Sequence, residues 1–185
     1  MRIPVMMVAV ALTGCAATLP PPTPVPWDAH APMMPQPVHV FLDRKLSDFT
    51  RQLATTAVEE WNIALQGRIH LQVVPYIPLS AYDTDTRNSS DILILGVESS
   101  HPMIARSHYS NAWAVTYPVG KAMPGALIYL ATDKIRHPHD TILHELGHSL
   151  GAEDRETGGL LMTRTYSGIS YIDTDAATQV AHHFH

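Results

Sequence analysis

The apolar positions of this chain change their period along its length, and each period predicts a different element. Val38-His39-Val40-Phe41-Leu42 is a short β-rich run. From about Asp48 to Gln66 the apolar residues Phe49, Leu53, Ala57, Trp61 and Leu65 recur every fourth position, which predicts a helix with one buried stripe. Ser47 offers an N-cap for it and Gly67 a stop. Ile69 to Val74 alternates and predicts a half-buried strand, whereas 80–90 is polar and predicts a loop. Asp91 to Gly96 is a nearly continuous apolar run, the mark of a central strand covered on both faces. Ala112 to Tyr117 and Ala126 to Ala131 predict two more strands. A helix is expected from about Pro138 to Leu150, with proline acceptable in its first turn. Asp173, Thr174 and Asp175 can cap a last helix ending near His183. These elements predict an α+β domain of about five strands, a long helix, a second helix and a C-terminal helix.

The second helix carries the chemistry. His144-Glu145-Leu146-Gly147-His148 places two histidines four residues apart, so both imidazoles leave one face and can share a metal. Glu145 lies beside them, where it can take a proton from a water at that metal. Gly151 can end the helix, because glycine accepts the left-handed backbone of a sharp reversal. The reversal brings Asp154 back towards the histidines as a third ligand, with Glu153 as the rival carboxylate. Three protein ligands leave one position open, as catalytic zinc requires. The plainer alternative is an amphipathic helix with two surface histidines. Gly158-Gly159-Leu160-Leu161-Met162 follows and ends in a methionine that reads equally as core filling.

This arrangement resembles the metzincin clan of zinc endopeptidases, whose signature is H-E-x-x-H-x-x-G-x-x-H followed by a methionine turn. The chain departs from it at Asp154, and the HExxHxxGxxD variant is similar to the snapalysin type of small secreted protease. The resemblance is specific over 144–162 and covers 38–185 in layout, with the strand and helix order of matrixin-type domains. It implies a Zn2+ ion held by His144, His148 and Asp154, Glu145 as general base and then acid, and Met162 as a hydrophobic floor below the metal. It implies an extended peptide or protein substrate pairing with an edge strand, which chain order assigns to Ala126 to Ala131. Walls of the cleft are expected from Leu143 and from Leu161 to Ser170. Tyr166 is a candidate to lean towards the metal or the oxyanion; packing is the competing reading for it and for Tyr171.

Composition adds an address. Arg2 and the apolar run Val5 to Leu12, too short to span a bilayer, precede Leu12-Thr13-Gly14-Cys15, which is similar to the lipobox of bacterial lipoproteins. Residues 1–15 are therefore expected to be a signal peptide with Cys15 lipidated, holding the protein at a membrane of the bacterial cell envelope. Cys15 is the only cysteine, so no intramolecular disulfide is available. The proline-rich stretch 16–37 predicts a semi-rigid spacer. Residues 38–185 suit one catalytic domain, expected to be a monomer. Twelve basic against seventeen acidic residues give a net charge of −5, which argues against a nucleic-acid partner.

The remaining histidines read as polar surface: His101 and His108 in a loop, His137 and His139 beside the helix start, and His182, His183 and His185 at the terminus. Three alternatives to a general endopeptidase fit the same residues. They are a silent binding lipoprotein on a protease scaffold, a processor dedicated to one envelope partner, and a cell-wall peptide hydrolase.

Overall fold

A computed structural model describes residues 20–31, 33–34, 37–77, 91–106, 112–116, 125–156, 161–163 and 170–184. Their elements run β1 (Val38–Asp43), α1 (Asp48–Leu65), β2 (Leu71–Ile77), β3 (Ile92–Val97), α2 (Pro102–Arg106), β4 (Ala112–Thr116), β5 (Ala126–Ala131), α3 (Pro138–Ser149) and α4 (Thr174–His183). The expected α+β class holds, with five strands in one sheet ordered β2-β1-β3-β5-β4. Four strands run parallel, and β4 runs antiparallel on the outer side of β5. The uninterrupted apolar run of β3 lies between β1 and β5, with Ile92, Leu93, Ile94 and Leu95 all buried, as a strand covered on both faces demands.

The edge on the β5 side is β4, not the Ala126–Ala131 strand that chain order suggested. β5 aligns with β3 along its whole length, Ile92 opposite Ala126 through Val97 opposite Ala131. Four of its six residues are buried. A strand that returns antiparallel can join after the parallel set is assembled, so its place outside β5 cannot be read from order alone.

Helix α1 begins where Ser47 Oγ accepts the Thr50 amide, and leaves through two left-handed residues, Gln66 and Gly67 (φ 52° and 75°). Its buried face is Ala54, Ala57, Val58, Trp61, Ala64 and Leu65, whereas Phe49 at the head of the expected stripe is 65% exposed. A step of four residues overshoots one turn by about 40°. A strict every-fourth line therefore spirals off the buried face, which needs alternating steps of three and four. Helix α3 packs across α1, where the enclosed Trp61 donates its indole N–H to the Leu143 carbonyl at 3.0 Å. Leu143 is wholly enclosed there and does not wall an open cleft.

The described part of the proline-rich stretch does not stand clear of the domain as a spacer. The Thr23 and Val25 amides donate to the Ile172 and Ala64 carbonyls, and the Trp27 indole donates to the Leu65 carbonyl. Val25 is fully buried and Trp27 meets Phe184 at the end of α4. Proline denies the segment a ladder of its own, but its remaining amides and the side chains of Val25 and Trp27 find partners at the C-terminal end of α1 and on either side of α4. Cys15 and the rest of 1–19 lie outside the described residues. Among the described residues no helix is long and apolar enough to cross a membrane.

Candidate metal centre

Helix α3 carries Pro138 in its first turn, where the missing amide costs nothing, and Asp140 at its positive end. It ends at Leu150 with Gly151 in the left-handed region (φ 93°). The Gly151 amide donates to the His148 carbonyl and the Ala152 amide to the Gly147 carbonyl, both at 2.9 Å. That pair is the Schellman arrangement, which closes the helix and reverses the chain. A side chain at Gly151 would also collide with the imidazole of His183 on α4. Glycine is required here on both counts.

The reversal brings Asp154 to the two histidines, as the sequence predicted. Its Oδ1 lies 3.4 Å from His144 Nε2 and 3.3 Å from His148 Nε2. Together the three offer ligand atoms within 4.8 Å of one another. Glu153, the rival carboxylate, is exposed, with its backbone amide bound to Gln179 Oε1. The imidazoles stand edge to face, with ring centres 4.7 Å apart.

The far nitrogens of both rings are occupied. His144 Nδ1 lies 2.6 Å from the Leu161 carbonyl and His148 Nδ1 lies 2.8 Å from the Ala152 carbonyl. A carbonyl oxygen only accepts, so each Nδ1 carries the hydrogen, and in the neutral ring each Nε2 presents a lone pair to the shared space. This is the orientation that backbone carbonyls impose on metal-binding histidines. Two ligands at zinc bond lengths on a tetrahedral ion stand about 3.3 Å apart, the spacing found between Asp154 and each imidazole. The donor set and its spacing fit a divalent metal.

Charge is arranged to match. Burial by itself raises the Asp154 carboxyl, but hydrogen bonds from His144 and His148 and their charges outweigh it and hold the group well below the usual carboxylate range. Burial lowers His148, while hydrogen bonding to Asp154 and the nearby Glu145 carboxylate bring it above its ordinary value. Glu145 is 7% exposed and follows His144 on the same helix.

Met162 is fully buried against the middle of α3. A Cβ at Gly147 would come within 2.6 Å of its sulfur, so the glycine between the two histidines makes room for the methionine. The Arg155 amide donates to the Met162 carbonyl at 2.7 Å, which ties the backbone after Asp154 to the methionine turn. Tyr166 lies outside the described residues, and Tyr171 is half-buried just ahead of α4.

Sequence reasoning missed the groups that hold the ligands. The Leu161 and Ala152 carbonyls left no trace in residue type. Asp173 was legible as a helix cap, and it does accept the Asp175 and Ala176 amides, but its second oxygen takes the Leu161 amide at 2.6 Å. His139, expected at the surface, is half-buried between Glu60 Oε1 at 3.1 Å and Asp140 Oδ1 at 3.3 Å. It bridges the start of α3 to α1, because both its nitrogens found carboxylates. His101 stacks on Tyr129 and accepts the Met103 amide, while His137, His182 and His183 are exposed. His108 and His185 lie outside the described residues.

No protein-family model matches the sequence, and no curated protein matches it either. Among solved structures the chain is similar to metalloproteinase-II from Bacteroides fragilis. The TM-score is 0.55 at 16% identity, over 88% of this chain and 57% of that one. The chain thus spans little more than half the length of that neighbour. The likeness is one of fold: the mixed sheet and helices are arranged as in that neighbour.

Proposed function

We propose that this chain is a zinc-dependent endopeptidase, with His144, His148 and Asp154 as metal ligands and Glu145 as the proton-transferring residue. One observation carries the reading. Both imidazoles have Nδ1–H tied to main-chain carbonyls, so both Nε2 atoms face one carboxylate at metal-ligand spacing, with a buried glutamate next in sequence. Zinc bound there would supply Lewis acidity towards a peptide carbonyl and lower the pKa of a water from about 15.7 towards about 7. The residues do the rest. Glu145 takes the proton from the attacking water and returns it to the leaving amine. Met162 supports α3 from below through Gly147. An extended substrate would pair with the edge strand β4, whose outer main-chain groups face away from β5. Lipidation at Cys15, with placement in a bacterial cell envelope, belongs to the same reading and rests on the lipobox alone.

The test is metal analysis of the purified chain together with cleavage of casein. The expected result is one zinc per chain, cleavage abolished by chelator, and a Glu145→Ala variant that keeps zinc and loses cleavage. An active Glu145→Ala variant would sink the mechanism, and a chain that holds no zinc would sink the whole reading.

A further inference from the structure

Residue 161 is bonded on both sides. Its carbonyl accepts His144 Nδ1–H at 2.6 Å, and its amide donates to Asp173 Oδ2 at 2.6 Å. Leu161 and Asp173 are both buried, at 4% and 6% exposure. Asp173 stands at the N-cap of α4, where Oδ1 alone does the capping, accepting the Asp175 and Ala176 amides at 2.8 and 3.0 Å. A cap needs one oxygen. The second is spent on Leu161, in a bond strengthened by the carboxylate charge.

We propose that Asp173 is a positioning residue for the metal centre: it sets the tautomer and tilt of His144 through the main chain of Leu161. This rests on the zinc reading above and adds a residue to it. Asp173 and His144 lie on different helices, and among the described residues the 161–163 segment passes between them. It is a turn without helix or strand of its own, steadied on one side by the Arg155–Thr163 bridge. The Arg155 bonds steady the Met162 and Thr163 side of this turn, and the carboxylate of Asp173 steadies the Leu161 side, next to the carbonyl that holds His144. Without the Asp173 bond the carbonyl can swing, and the ring can present the wrong nitrogen to the metal.

Two substitutions separate this role from helix capping. Asp173→Asn keeps a good cap but offers only one accepting oxygen, so either the cap or Leu161 loses its acceptor. Asp173→Ser keeps the cap with a side chain too short to reach Leu161. Ser47→Ala serves as control, removing a cap from α1 far from His144. Zinc affinity of the metal-free full chain is measured by competition with a chromophoric chelator, with the cobalt(II) absorption spectrum as a second readout. The expectation is affinity about 10–100-fold weaker in Asp173→Ser, as for lost outer partners of metal ligands, with shifted cobalt bands, and an equal or smaller loss in Asp173→Asn, whose one accepting oxygen can stay with Leu161. Ser47→Ala should match the parent. Both Asp173 variants binding zinc as the parent does would reduce Asp173 to a helix cap and overturn the inference while leaving the zinc reading intact. A parent that binds neither ion overturns both.

Discussion

His144 and His148 stand on a helix, and Asp154 stands on irregular backbone beyond it. Both regions reach the same apolar core, but the second depends far more on directed bonds. Helix α3 is rooted by apolar burial: Ile142, Leu143 and Leu146 are enclosed, and Trp61 of α1 lies across them with its indole bonded to Leu143. The return segment and the methionine turn add to the burial of Ala152, Leu161 and Met162 a set of directed bonds: Gly151 and Ala152 to the end of α3, Arg155 to Met162, and Leu161 to Asp173. Burial is non-directional, whereas hydrogen bonds hold a definite direction and weaken as the angle departs from linear. Damage to the first region should therefore cost stability, and damage to the second should cost metal geometry more than stability.

The largest stability effect is expected from Trp61→Ala. Removing an enclosed tryptophan from the α1–α3 contact should cost about 3–5 kcal/mol, read by denaturant unfolding. A loss below about 1 kcal/mol would mean that α3 is not rooted on α1. Asp154→Ala should do the reverse. Unfolding should be little changed, while zinc affinity falls by more than the roughly 100-fold that marks the loss of an outer partner. Unchanged zinc binding would move the third ligand elsewhere.

Gly151→Ala tests the joint between the regions. A left-handed alanine costs about 1–2 kcal/mol, and the added carbon also meets His183. Zinc affinity should fall with stability. Adding His183→Ala should recover the steric part only, so full recovery would argue against the backbone account.

The smallest effect concerns His139, which pins the head of α3 to Glu60. The hydrogen bond and charge of Glu60 raise the pKa of His139 above 6.5, against the opposing effect of burial, and Asp140 adds to the rise. A raised folded pKa means that the pair's stability is fully present below pH 6.5 and is lost as pH climbs through the folded value. His139→Gln should flatten that slope and cost about 1 kcal/mol in mildly acid buffer, seen as a thermal shift that shrinks as pH rises. An unaltered slope would assign the dependence to other groups.

Much of the site could be read before folding, because its spacing is local. The interval from His144 to His148 and the position of Glu145 follow from the helical period, and Gly151 from a backbone angle that other residues resist. The caps Ser47 and Asp173 were legible for the same reason. Phe49 misled because an every-fourth rule drifts around a helix. Over its described residues the spacer reading of 16–37 misled, because proline content hides what Val25 and Trp27 can bury against. The edge strand, the His139–Glu60 bridge and the second bond of Asp173 left no mark in residue type.

The chain's own pattern determined which residues could meet a metal: two imidazoles one turn apart and an aspartate beyond a glycine reversal are matters of neighbouring bonds and angles. Tertiary structure decided that they converge correctly. The Leu161 carbonyl that chooses the exposed nitrogen of His144, the placing of β4 outside β5, and the carboxylate behind Leu161 depend on segments distant in sequence. Such contacts form only when burial of the shared core brings those segments together.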